Sequence, residues 1–188
     1  MSDLVGPVPA GRDPDEYDRL RRRVLWMLPT GLYVLGTREG SRRNLMTISW
    51  VTQVAAEPKL LGVGVERGAL THELLKGGSV FALSILPRTE RALVRRFAKP
   101  VVDQSVDEET GVGVMEGAAV RARFTGSPIL EVAVAWIDCE LRHTLELGSH
   151  SWFVGEVVDC GAADQGSVSG TGPVQVLRME DTRMSYGG

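Results

Sequence analysis

The densest run of side chains able to hold a ligand lies between Asn44 and Pro58 (NLMTISWVTQVAAEP). There Asn44, Thr47, Ser49, Thr52 and Gln53 set hydroxyls and amides into an otherwise apolar stretch. On an extended strand, Thr47, Ser49 and Val51 share one face, and Ile48, Trp50 and Thr52 the other. Such a strand can line a pocket where a planar heterocycle meets backbone N–H and C=O groups, with hydroxyls at its far end bonding a phosphate. The same composition also describes a solvated barrel strand whose threonines serve β-propensity. Three histidines, His72, His143 and His150, are the other side chains able to exchange a proton near neutral pH.

Several chemistries have no support in the sequence. No GxxxxGK(S/T) loop occurs. Gly62, Gly64 and Gly68, like Gly111, Gly113 and Gly117, read GxGxxxG rather than GxGxxG, and neither set lies inside a βαβ unit. GxSxG and HExxH are absent, and three histidines are few for a metal centre. Cys139 and Cys160 form no CxxC, which argues against a zinc site or a disulfide scaffold. A net charge of -3 argues against nucleic acid as the main partner, since phosphate binding favours a basic balance. The arginines at 19 and 21–23 are offset by Asp13, Asp15, Glu16 and Asp18 and read as a solvated helix face. No apolar run approaches the roughly 18 residues of a membrane span, and no signal-like start is seen, so a cytoplasmic chain without membrane contact is expected.

The elements that would position these residues follow from periodicity. Residues 1–12 carry Gly6, Pro7, Pro9 and Gly11 and read as a flexible arm. Asp13-Pro14 is a helix start, and Tyr17, Leu20, Val24, Met27 and Leu28 recur at helical spacing until Pro29 and Gly31 end the helix. Strands are expected at 31–37, 45–54, 60–65 and 80–86. Helical segments are expected around Leu70–Leu75 and Leu93–Ala98. Residues 99–127 read as a long connection with a short strand near 119–124. From Trp136 to Leu147 odd positions are largely apolar and even ones largely polar, the period of a half-buried strand. Gly148-Ser149 then turns the chain into a strand at 151–160. A Gly/Ser/Ala-rich linker (161–172), a short strand (173–179) and a flexible tail (181–188) complete one domain spanning 13–180. Strands in series with tight turns predict a mainly β, antiparallel barrel with flanking helices.

Five short motifs, in order, resemble those of the flavin reductase-like, FMN-binding split-barrel family. Met46-Thr47, Thr52-Gln53 and Glu57-Pro58 keep the spacing of its signature strand, although Gln53 stands where a small hydroxyl residue is common. Phe81–Leu86, Arg96-Phe97-Ala98, Gly126–Leu130 with Trp136–Cys139, and GSHSWFVG (148–155) resemble its later motifs. The resemblance covers roughly residues 24–160.

The resemblance implies a Greek-key split β-barrel that forms a homodimer, with one FMN (or FAD) per subunit and NADH or NADPH as co-substrate. It implies that backbone groups around Thr47, Ile48, Ser49 and Trp50 contact the flavin ring, while Thr52 and Gln53 approach the ribityl and phosphate end. Arg67, Thr71 and His72 begin the next helix, where a phosphate is favoured, and Thr71 is the nominated contact. His72 reads equally as a surface helix residue. His150, at the hairpin tip, is the candidate for orienting nicotinamide or stabilising reduced flavin; a turn histidine bonded to a neighbour is the alternative. His143 reads as a packed or interface residue. The implied reaction is hydride transfer from NAD(P)H to flavin, with a partner monooxygenase as a potential user of the product. The rivals are an FMN-holding electron carrier, a related barrel for haem, deazaflavin or pyridoxal phosphate, and a structural dimerisation barrel. A basic residue for the 2′-phosphate of NADPH could be Arg42, Arg43 or Arg88.

Overall fold

The computed structural model describes residues 6–163 and 175–182; the start of the arm, most of the 161–172 linker and nearly all of the tail lie outside the described residues. Helix α1 (Pro14–Leu25) begins as its sequence dictates, with the Asp13 carboxylate accepting from the Glu16 N–H at 2.9 Å and proline at the first helical position. Its arginines lie on solvent, and so does its apolar stripe: no residue of α1 is buried.

The body is a seven-stranded antiparallel sheet in the order β2-β1-β5-β10-β11-β4-β3. Its strands are β1 (Tyr33–Glu39), β2 (Arg42–Ile48), β3 (Val51–Ala55), β4 (Leu60–Glu66), β5 (Val80–Ile85), β10 (Ala135–Leu147) and β11 (His150–Ala162). β2 and β3 are the two edges of this sheet, yet only Ser49 and Trp50 separate them in the chain. The sheet must therefore curl until the end of β2 meets the start of β3, joined by the chain and by no strand ladder. Helix α2 (Leu70–Gly78) packs against β1, β2 and β4.

This arrangement corrects the expectation of one strand over 45–54. Ser49 O accepts from Val51 N–H at 3.0 Å and Trp50 O from Gly64 N–H at 2.9 Å, which turns the chain out of one edge and into the other. Both pieces are extended and carry β-branched residues, so β-propensity alone does not reveal the break. The segment 99–127 likewise is more than a connection. With residues just beyond it, it forms a four-stranded antiparallel sheet of β6 (Gln104–Val106), β7 (Gly113–Met115), β8 (Ala118–Arg121) and β9 (Ile129–Leu130). The segment Leu93–Ala98 is 3₁₀ rather than α-helical. The expected strand at 173–179 is represented by isolated bridges from Val176 to Pro87 and from Arg178 to Gly31.

Two apolar clusters cover the body's two faces. Leu35, Ile48, Val63, Leu75, Phe81 and Phe153 fill one. Leu32, Val34, Leu45, Val94, Phe97 and Met115 fill the other, under the smaller sheet. In β1, Val34 and Leu35 point to opposite clusters, so this strand is covered on both sides. β10 also departs from simple alternation. Bulges at Asp138/Cys139 and Leu141/His143 shift its phase, and Asp138, at a polar position, is fully buried. Burial raises the Asp138 pKa, opposed by Thr125, whose N–H and hydroxyl both donate to the carboxylate. No helix among the described residues is long and apolar enough to cross a membrane.

Candidate functional site

The backbone break at Ser49–Trp50 places the end of β2 beside the turn that leads from β4 into α2. Together with the segment after the 3₁₀ helix, they enclose a cleft of about 400 Å³. One wall is Asn44, Met46 and Thr47; the second runs from Glu66 through Gly68 and Ala69 to Thr71; the third is Phe97 to Pro100. Asn44 ties the walls together. Its Nδ2 donates to Thr71 Oγ1 at 2.8 Å, and its Oδ1 accepts from Val101 N–H at 2.9 Å. Thr47 Oγ1 donates to Val94 O at 2.5 Å, pinning β2 to the 3₁₀ helix that leads into the third wall.

The electrostatics of this cleft favour an anion. The α2 N-cap is Ala69, with no side chain to accept from the first-turn N–H groups. Thr71 accepts from Asn44, which leaves its own hydroxyl proton available to an acceptor. Lys99 lines the cleft and has no carboxylate partner among the described residues, while Glu66 is the one acid on the rim. β2 is an edge strand, so half of its backbone polar groups are not used by a ladder.

Beside the cleft lies an aromatic patch. The rings of Trp50 and His150 are 4.6 Å apart and tilted by 44°. Trp152 lies over Gly62 and Gly64, where an added Cβ would meet its indole at 2.6 and 3.2 Å. These glycines, which form no dinucleotide loop, thus make room for indoles. His150 is the cross-strand partner of Glu66, which also lines the cleft, so patch and cleft adjoin. His150 Nδ1 is bonded to Ser149 Oγ at 2.9 Å, and Ser149 O accepts from Arg67 N–H at 3.0 Å.

The structure brings Thr47 and Thr71 together in the cleft and sets Trp50 and His150 at its edge. Ile48 points into the core and offers only its backbone, and Ser49 is buried at the break. Thr52 and Gln53 lie exposed on β3, outside the cleft, their side chains bonded to Gln53 O and Ala55 O. The Arg67 side chain is exposed and pairs with Glu146 at 3.5 Å. His72 is buried, not a surface residue: its Nε2 meets Ser151 Oγ at 2.8 Å and it does not line the cleft. His143 is exposed in the chain.

The arginines considered for a 2′-phosphate are all engaged by carboxylates. Arg42 pairs with Glu39 and Glu73, Arg43 with Glu108, and Arg88 with Asp181. Lys99, which directly follows the Arg96-Phe97-Ala98 motif, is not nominated from sequence, and Asn44 is singled out there only as the head of the hydroxyl-rich run. Cys139 is no nucleophile, since burial pushes its thiol up to about 12. No cluster of His, Cys, Asp or Glu able to hold a metal occurs among the described residues.

A curled antiparallel sheet with an anion-favouring cleft beside an aromatic patch gives the chain the form of a split-barrel protein. The flavin reductase like domain matches residues 25–174, and the chain belongs to that family. A curated relative, an NADH-dependent FAD reductase of Streptomyces globisporus, is 32% identical over 84% of this chain and 83% of its own length. The FMN-binding protein of Thermus thermophilus, solved with p-hydroxybenzaldehyde, superposes with a TM-score of 0.68 at 26% identity, over 95% of this chain and 89% of that one. The styrene monooxygenase flavin reductase of Pseudomonas putida S12 does so with a TM-score of 0.63 at 25% identity, over 76% and 87%.

Proposed function

We propose that this chain is a flavin reductase that moves a hydride from NADH or NADPH to flavin, with the flavin phosphate at the start of α2 and its ring along Thr47–Trp50. One observation carries the placement. The uncapped α2 N-terminus, Thr71 and Lys99 share a single cleft with the open backbone edge of β2. That donor set suits a phosphate at one end and a hydrogen-bonding ring edge at the other. When bound, flavin supplies the hydride-accepting chemistry, and the protein supplies alignment and shelter from water.

Trp50 and His150 provide an aromatic surface beside the cleft. Ser149 holds the His150 ring by Nδ1, which leaves Nε2 directed elsewhere for a substrate. The placement of Thr52 and Gln53 on the outer face of β3 favours Thr71 and Lys99 over them as phosphate contacts. Both FMN and FAD fit this reading, because the relatives' names include each. The styrene monooxygenase flavin reductase supports delivery of reduced flavin to a monooxygenase partner. The exposed apolar stripe of α1 supports a homodimer, and a pyridine-nucleotide-dependent reaction fits the cytoplasm.

The test is to mix the purified protein anaerobically with FMN or FAD and with NADH or NADPH. Loss of the flavin's visible absorption, at a rate set by protein concentration, is expected for at least one pairing. Absorption that persists in all four overturns the proposal.

A further inference from the structure

His72 follows Thr71 on α2, yet its side chain leaves the cleft and reaches β11. Its Nε2 lies 2.8 Å from Ser151 Oγ, its ring meets Phe153 edge-on at 5.1 Å, and only 7% of the residue is exposed. Ser151 in turn follows His150, whose ring lies on Trp50. One buried contact therefore joins the residue next to the phosphate end of the cleft to the residue next to its ring end. We infer that His72 is a positioning residue, which sets the start of α2 against β11 so that phosphate and ring of one flavin are held at the correct spacing. The inference rests on the flavin reading above.

The charged groups around His72 define its working state. Lys76 and Arg67 are the neighbouring cations and Glu146 the neighbouring acid; Glu146 is shared between them at 3.5 Å each. Burial, then Lys76 and Arg67, hold the imidazole pKa below its ordinary value, against the weaker pull of Glu146. The neutral ring suits the Ser151 contact, since the hydroxyl can donate to Nε2 or accept from it. A group whose folded pKa is depressed and which works uncharged keeps its contribution above the unfolded value of about 6.5 and loses it as pH falls through the folded value. Acidification charges a buried ring beside Lys76 and Arg67, and the packing of α2 on β11 is expected to loosen.

The experiment titrates FMN and FAD against wild type, His72→Leu, His72→Gln and Ser151→Ala by flavin fluorescence between pH 5 and 8, with steady-state kinetics at each pH. His72→Leu is expected to raise the flavin Kd and KM about tenfold, the scale of a lost buried hydrogen bond, with a smaller change in kcat. His72→Gln, which retains a donor and an acceptor, is expected to restore most of the affinity. Ser151→Ala removes a single oxygen and carries the test if His72→Leu does not fold. The FMN phosphate itself titrates near pH 6. The acid loss is therefore read as the difference between wild type, which weakens more steeply, and His72→Gln.

Wild-type affinity in Ser151→Ala or in folded His72→Leu overturns the inference, as does a pH profile shared by wild type and His72→Gln. Failure of wild type to bind either flavin overturns the flavin reading, and this inference with it.

Discussion

At the residue scale, the cleft depends on few side chains. Thr71 and the first-turn N–H groups of α2 are neutral donors, so Lys99 carries the cleft's positive charge. A charge-assisted hydrogen bond contributes about 1.5–3 kcal/mol, roughly ten- to a hundredfold in affinity. Lys99→Ala is therefore expected to weaken FMN by at least about tenfold and riboflavin, which lacks the phosphate, hardly at all. Raised salt should narrow the FMN gap between wild type and variant, because Lys99 is exposed and screened. Equal losses for FMN and riboflavin would remove Lys99 from the phosphate site. Thr71→Val is expected to weaken FMN as well, and it also strips the Asn44 amide of its acceptor.

At the element scale, the break between β2 and β3 and the stack above β4 make the site. Gly62 and Gly64 are what allow the Trp152 indole to lie flat on β4. A Cβ on Gly62 would stand 2.6 Å from the indole, with β4 paired on both edges and unable to retreat. Gly62→Ala is expected to cost about 1–3 kcal/mol by overpacking, read as a lower denaturation midpoint, and to alter tryptophan fluorescence. Unchanged stability and spectrum would show that the indoles do not need those glycines. The same strands show what a sequence reveals of a fold. Strong alternation located β10 within a residue, and Asp13-Pro14 located α1, because both signals are local. The break at Ser49–Trp50 is held by Gly64 N–H from another strand, and the burial of Asp138 by Thr125 and a bulge; neither leaves a periodic trace. In the candidate cleft and its surroundings, Thr47 and Trp50 stand out in the sequence through the signature strand, and Thr71 through its place at a helix start. Lys99 and the inward turn of His72 depend on which segments pack together, and sequence order does not give that.

At the scale of the whole molecule, the least satisfied surface is α1 and the residues after it. Val24, Leu25, Met27 and Leu28 are 55%, 54%, 80% and 62% exposed. Met27 and Leu28 also border a groove of about 510 Å³ shared with Tyr33 and Met179. An amphipathic helix whose apolar stripe is left largely exposed among the described residues gains little from folding there unless something else covers it. A second copy is the simplest cover, since a two-fold interface would bury the same stripe from both subunits. Light scattering after gel filtration is expected to give the mass of two chains for wild type. Val24→Glu combined with Met27→Glu places charges on positions that are exposed in the single chain, so each subunit should keep its fold and circular dichroism while the mass falls toward one chain. A double variant that stays dimeric would move the interface elsewhere, and the exposed Leu145 and Leu147 near the tip of the β10–β11 hairpin would be next to examine. A monomeric wild type would rule out the homodimer. It would also require the cleft between β2, α2 and Lys99 to bind flavin with the residues of one chain alone.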